Sequence, residues 1–284
     1  MLVDGIDWEK AKANAKAPAE QIQERNKGVI GIGTDGKPVN MDLWEYTYIS
    51  SNDSYALNDS EVINNSGIEN KGYLGKFYNG EIDGSVPNYI KGINDNEFKP
   101  VTDMNNTFRE CNELIISPKI PETVTTMFTT FNSCVNLKIP PELPTNLENM
   151  YGLFYNCNSL EYSPEFPDTV LNMANSFVFC KKIESFPRLP SNVVELNGAF
   201  AHNPSLKKAP DIIPKSVEHM KETFIDCPNL EGTIEIDANP SIYVRCFAQT
   251  ALYGKGLVLT GKSNILNELL NTKSANANIV LGSK

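Results

Sequence analysis

From residue 101 onward the chain repeats itself every 23 residues, and that period leaves few folds open. Phe108, Phe131, Phe154, Phe177 and Phe200 fall 23 apart, and Phe224 follows at 24. Met104, Met127, Met150, Met173, Leu196 and Met220 keep the same steps, as do Leu114, Leu137, Leu160, Ile183, Leu206 and Leu230. The one-residue slip can be placed. Pro118, Pro141, Pro164, Pro187 and Pro210 hold the 23-residue spacing, whereas Pro121, Pro144, Pro167, Pro190 and Pro214 step by 24 at the end. The extra residue therefore lies within 211–213. Tyr243 and Phe247 continue both columns into a seventh, degenerate row.

Six slots of each row are apolar: a Leu, an Ile, Leu or Phe between the prolines, a Val or Leu, a Met, a Phe and a Cys. A unit of this length cannot bury those side chains alone, so it must stack on its neighbours. The predicted fold is a β-rich parallel solenoid of 23-residue coils, with a rise of about 4.8 Å per coil. Proline cannot donate to a ladder. The twin proline columns are therefore expected to form an extended, polyproline-like face. The sheet is expected at the Val-x-x-Met step, in TVTTM, NLENM, TVLNM and SVEHM.

The Phe-x-x-Cys-x-x-Leu core, followed by a Pro and a Val-x-x-Met step, resembles the BspA-like, Treponema-type leucine-rich repeats over residues 101–254. Two prolines per row, and Met where that class more often has Ile-Gly, are departures that keep the slots. The resemblance implies a leucine-rich-repeat solenoid that binds other proteins or cell surfaces and carries no catalytic residues in the repeat. It also implies that the shared slot of Cys111, Cys134, Cys157, Cys180 and Cys227, taken by Asn203 in the fifth row, is an inward ladder meeting backbone groups.

The flanks read as caps and an attachment segment. Residues 1–27 are expected to form a helical arm, with Asp7 as N-cap, Trp8 and Ile22 on one side, and a break at Pro18. Residues 28–100 hold two apolar runs about Asp35-Gly36, a hairpin signal, then a polar loop over 50–72 and glycine-broken strands forming an N-terminal cap. The C-terminal cap, 255–284, is read as strand GLVLTG, a short helix capped by Ser263, and a closing strand NIVL. The leader, GKPVNMDLWEY and the proline-rich repeats together are similar to proteins carried by phages and prophages of gut Gram-positive bacteria. That similarity implies a binding module displayed on a virion, and therefore extracellular after lysis.

Composition narrows the function classes. With 40% hydrophobic residues the chain can bury a core. A net charge of -10, spread along the whole length, argues against nucleic-acid binding through phosphates. No run of apolar residues is long enough to span a membrane, and the opening twenty residues carry charges throughout, unlike a secretory signal peptide. Synthesis in the cytoplasm without a signal peptide is the expectation.

Chemical motifs are sparse. Gly31-Ile32-Gly33-Thr34-Asp35-Gly36 matches G-x-G-x-x-G, but Lys37-Pro38 stands where a dinucleotide site needs a helix, so a turn is expected. The thiols lack C-x-x-C pairs, and a 23-residue spacing fits no zinc pattern. Buried structural thiols are expected, with Cys246 a packed thiol off the column. His202 and His219 lie at variable positions without a triad or metal partner and are expected to be solvated. Asn52, Asp53, Asn58 and Asp59 lack the calcium-loop spacing. No cofactor, metal or catalytic residue is assigned, and an enzyme hidden in 28–100 is disfavoured.

What remains is surface. The candidate binding face comprises Phe128, Glu148, Asn149, Tyr151, Tyr155, Asn172, Glu195, Glu218 and His219, with aromatics in adjacent rows as natural contacts for a protein or a cell-surface glycan. A second set, Trp8, Ile22 and Trp44, is assigned to an assembly arm that meets virion subunits or further copies of the chain. Recognition, virion decoration and an intracellular interaction scaffold are the three functions carried forward.

Overall fold

The computed structural model describes residues 27–57, 73, 77–82 and 84–282. Trp8, Ile22 and the expected helical arm lie outside them. Through the repeats, single parallel bridges join residues one period apart: Asp103 to Thr126, Thr126 to Asn149, Asn149 to Asn172, Asn172 to Glu195, Glu195 to His219 and His219 to Ile242. Each bridge precedes the Met slot, where the sheet was expected. Backbone bonds run from each row to the next, as from Met127 N–H to Asn149 O at 2.8 Å and from Met150 N–H to Asn172 O at 3.0 Å. Two residues per row take left-handed backbone and return the chain after each bridge. They are the second after Met (Thr129, Gly152, Asn175, Gly198, Glu222) and the second after Phe (Ser133, Asn156, Phe179, His202, Asp226).

The core follows the columns. Phe108, Phe131, Phe154, Phe177, Phe200, Phe224 and Phe247 are fully buried. Their rings stack in one file, with neighbouring centroids 5.3 to 6.3 Å apart. The Met column and the Leu column are equally buried beside them. All six cysteines are buried and free. Their slot is a polar ladder inside this core. Cys134, Cys157, Cys180 and Cys227 donate Sγ–H to the carbonyls of Phe108, Phe131, Phe154 and Phe200 at 2.9 to 3.2 Å. Asn203 Nδ2 reaches Phe177 O at 2.8 Å and Phe200 O at 2.9 Å, and Thr250 Oγ1 donates to Phe224 O in the seventh row.

Asn203 also leaves its buried Oδ1 without a partner. Replacing it by Cys removes that orphan and restores the pattern of the other rows, so Asn203→Cys is expected to melt at or above the parent temperature. Asn203→Ala removes both of its hydrogen bonds, leaving Phe200 O to Cys227 Sγ–H and Phe177 O to a long bond from Cys180 N–H at 3.5 Å, and is expected to cost about 1–3 kcal/mol; denaturant titration of the two variants separates the outcomes.

The proline face is more than an extended edge. A second set of parallel bridges, Ile116 to Ile139 and Ser185 to Lys208, stands two residues before the first proline column. Ladder pairing there stops where proline begins. A parallel sheet starts in the last proline row and continues past it: β9 (Ile212–Ile213), between Pro210 and Pro214, is followed by β10 (Gly232–Ile236), β11 (Leu257–Thr260) and β12 (Ile279–Leu281), in the order β12-β11-β10-β9. Freed N–H groups and β-branched residues in GTIEI and LVLT account for the change. The extra residue within 211–213 falls at β9. The short helix α1 (Leu266–Leu270) has Ile265, not Ser263, at its N-cap; Ser263 Oγ instead accepts from Ile265 N–H at 3.3 Å.

At the other end, β1 (Ile30–Gly33) and β2 (Pro38–Val39) form the expected hairpin, with Gly36 at φ +76° in its turn. That turn stands where a dinucleotide-binding helix would start. β3 (Thr47–Ile49) and β4 (Ser54–Ala56) pair antiparallel, β7 (Pro87–Lys91) pairs β1, and β8 (Lys99–Asp103) pairs both β7 and β4 in a six-stranded sheet, β2-β1-β7-β8-β4-β3. The strands β5 (Phe77–Tyr78) and β6 (Glu81–Ile82) pair separately. Two expectations need correction here. Residues 50–57 are not loop throughout: β4 is buried, with Tyr55 Oη donating to Asp95 at 2.6 Å and the Ser54 and Thr102 hydroxyls 2.7 Å apart. Trp44 is not part of an arm. It is fully buried, its ring 5.0 Å from Tyr73 and 6.0 Å from Phe108, and it closes the end of the Phe file.

Candidate functional site

The bridge column presents Thr126, Asn149, Asn172, Glu195 and His219 one above another, because each row places the same residue at the same place. Part of their polarity is spent within the fold. Asn149 Oδ1 accepts from Tyr151 N–H at 3.0 Å and Asn172 Oδ1 from Ala174 N–H at 2.9 Å, each holding the turn that follows its bridge. Glu195 accepts from Asn197 Nδ2 at 3.2 Å and pairs with His219 Nδ1 through its other oxygen. Glu148 and Glu218 are exposed beside this column.

Next to it, Phe128 and Tyr151 stack with centroids 4.9 Å apart and planes 10° from parallel. Phe128 keeps 37% of its surface exposed. Tyr151 is tied down by Asn175 Nδ2, which donates to its Oη at 3.0 Å. Tyr151 then borders a hollow of about 480 Å³ lined by Asn172, Asn175, Glu195, Asn197 and Lys221. The result is an aromatic wall facing amides, a carboxylate and an ammonium. Such a site can stack on and hydrogen-bond to a ligand. No group of three or more His, Cys, Asp or Glu is placed to hold a metal among the described residues.

The structure brings together most of the face read from sequence and separates one member. Tyr155 belongs elsewhere, edge-on to Phe179 at 5.9 Å beside the small cluster of Val178, Ala201 and Ile225. Asn175, Asn197, Lys221 and Glu222 were missed, although Asn197 and Lys221 occupy the same slot as Phe128 and Tyr151. The expectation of solvated histidines is corrected as well. His219 pairs with Glu195, and His202 Nδ1 lies 2.7 Å from Asp226 Oδ2. Stacked rows set side chains 24 residues apart next to each other, so an imidazole meets the carboxylate of its column.

Ionisation inside the fold is governed by burial. Desolvation pushes the Cys157 and Cys180 thiols far up and those of Cys227 and Cys246 up to about 12, so burial holds these four thiols in their neutral form. Arg188, forked onto Asp168 at 2.7 and 3.0 Å on the proline face, holds that carboxyl well below its usual range. Asp53 is drawn down by Tyr48 and Lys99. Its salt bridge to Lys99 at 2.9 Å makes it part of the cap; Asn58 and Asp59 lie outside the described residues.

The pattern of slots and rows is that of the BspA type leucine rich repeat region, whose family model matches in six copies over residues 104–231 and 151–255, more than half of the 284 residues. The chain belongs to this family. It is a β-rich leucine-rich-repeat protein with little helix. A leucine rich repeat protein of T. pallidum is similar at a TM-score of 0.58 and 19% identity, over 85% of this chain and all of that one. The pneumococcal vaccine antigen PcpA is similar over 58% of this chain and 41% of that chain, at TM-score 0.43 and 18% identity. A leucine-rich repeat protein from Bacteroides ovatus covers 86% of this chain and 78% of its own at TM-score 0.32 and 15% identity. Likeness at these identities concerns fold alone. No curated protein matches the chain.

Proposed function

We propose that the chain is a non-enzymatic recognition module, a continuous solenoid of 23-residue coils that binds a protein or a cell-surface glycan through the face bearing the bridge column. The observation that carries this reading is the Phe128–Tyr151 stack at the edge of the Asn172–Glu195–Lys221 hollow. Rigid aromatics supply contact area at little entropic cost, and the adjoining amides and charges supply direction. Membership of a leucine-rich-repeat family supports it, since the resemblance implies binding of proteins or cell surfaces. Display on a phage particle, with release by lysis, is supported by the similarity of the leader and the proline-rich rows to phage-borne proteins.

The test is association of the purified protein with candidate host cells and with particles. Tyr151→Ala is expected to weaken cell binding about tenfold, the loss of one aromatic anchor, with an unchanged melting temperature. Deleting residues 1–27 is expected to leave cell binding intact. The opposite result, particle association lost on deletion and nothing lost with Tyr151→Ala, makes the protein a virion decoration anchored by its leader.

A further inference from the structure

We propose that the hollow beside Phe179, His202, Asp226 and Tyr253 is a second binding site, for the pyranose ring of a neutral glycan. The backbone carries the first part of the argument. The second residue after the Phe column is left-handed in every row: Glu110, Ser133, Asn156, Phe179, His202, Asp226 and Gln249 all have φ between 54 and 59°, save Phe179 at 61°. Asn, Asp and His tolerate that conformation, whereas a bulky apolar ring such as Phe179 is strained there, and such strain persists where a side chain has a task. Five rows place a polar residue at this position. Two adjacent rows place aromatic rings.

Those rings are fixed as a platform. Phe179 and His202 stack at 4.6 Å with planes 18° apart, and Tyr155 braces Phe179 edge-on. Asp226 holds His202 through Nδ1 at 2.7 Å, which leaves Nε2 without a partner among the described residues. Tyr253, 62% exposed, stands across a hollow of about 370 Å³ into which Lys181 and Gln249 also face.

The chemistry of the lining selects the ligand. A pyranose offers C–H faces to aromatic rings and a ring of hydroxyls to planar polar groups, and this hollow holds both kinds of partner. Lys181 and Asp226 oppose each other in charge, which favours a neutral sugar over an anionic or cationic one. If Phe179 and His202 only covered the Val178–Ala201–Ile225 cluster, Tyr253 would have no part, and polar residues would serve as they do in the other rows. The site shares no lining residue with the hollow beside Tyr151 and goes beyond the reading given above.

Full-length protein is titrated with methyl α- and β-pyranosides of glucose, galactose, mannose and N-acetylglucosamine by ligand-observed NMR. At least one is expected to bind at millimolar concentration, with affinity falling about tenfold in Tyr253→Ala. Asn suits the left-handed backbone as His does, so His202→Asn is expected to lose binding while keeping the melting temperature. Tyr253 is exposed, so its variant keeps the test open should His202→Asn disturb folding. Absence of binding by every pyranoside overturns the proposal, and so does binding that survives in Tyr253→Ala. Binding lost with Tyr151→Ala but kept in Tyr253→Ala moves the sugar to the bridge-column face, overturning this site and leaving the recognition reading intact.

Discussion

Phe154→Ala is expected to lower the unfolding free energy by about 3–5 kcal/mol, the cost of a large-to-small change in a packed core. The ring has no exposed surface and lies 5.6 Å from Phe131 and 5.3 Å from Phe177, so its loss opens two stacks at once. Close neighbours that are themselves one period away cannot collapse into the gap without shifting their own rows. Against a usual total of about 5–15 kcal/mol, this is a large fraction, and a melting temperature lower by roughly 6–20 °C follows for a chain of this size. Phe128→Ala is the control, since that ring is 37% exposed and stacks on one neighbour only. It is expected to cost under about 1 kcal/mol. Equal effects from the two substitutions would overturn the assignment of Phe154 to the interior file.

The columns were legible because stacking converts a sequence period into a spatial file. Every Phe, Met and Leu slot read from residues 104–230 is buried. Proline spacing was less complete a guide, since β9 pairs with β10 between Pro210 and Pro214, where the extra residue of the fifth row lets Ile212 and Ile213 form a ladder. What the sequence hid was pairing by single residues. The second set of bridges runs through Ile116, Ile139, Ser185 and Lys208, a slot with no shared chemistry, because the pairing is made by backbone atoms alone. Strand β4 was hidden by composition. Ser54, Tyr55 and Ala56 sit in a polar stretch, and their burial comes from β8 and from the Tyr55–Asp95 hydrogen bond. Trp44 lies in the first 50 residues, but its surroundings are Tyr73 and Phe108, contacts between segments that no local pattern announces.

The candidate face was legible only in part. Aromatic residues after the Met slot stood out by type, whereas Asn197 and Lys221 in that same slot did not. The signal that could have found the hollow was the position that follows. Gly152, Asn175 and Gly198 all occupy it, and glycine or asparagine recurring at one slot marks a left-handed turn. His202 and Phe179 occupy the other left-handed slot, where their rings break the pattern; noticing two aromatics among Glu, Ser, Asn, Asp and Gln needs the row alignment, but assigning strain to Phe179 needs the backbone.

Alkaline pH is expected to unfold the protein steeply, and the thiol column is the reason. In an unfolded chain a cysteine ionises near pH 8.5. Burial raises the Cys157 and Cys180 thiols well above that and those of Cys227 and Cys246 to about 12. Between these values the unfolded state has released protons that the folded state still holds. Stability therefore falls as pH rises, by about 1.4 kcal/mol per unit for each thiol. Below pH 8 both states hold the protons and the thiols contribute no slope. Four thiols together give roughly 5 kcal/mol per unit, enough to exhaust an ordinary margin within about one to three units above pH 8.5. Tyr55, whose ionisation is raised by burial and by Asp95, and Lys99, held protonated by Asp53 and Asp95, act in the same sense at higher pH. Circular dichroism against pH should show a cooperative loss of structure near pH 10, with no reaction of native thiols toward a thiol reagent below it and reaction of all six once unfolded. Cys227→Asn removes one titrating group while supplying the side chain that Asn203 already uses in the same ladder. Its transition should be shallower than that of the parent, because one fewer proton is released on unfolding. A thiolate absorbance that develops near pH 9 while the fold persists would show the column open to solvent, and the ladder from Cys134 to Cys227 would then not be the buried seam of this protein.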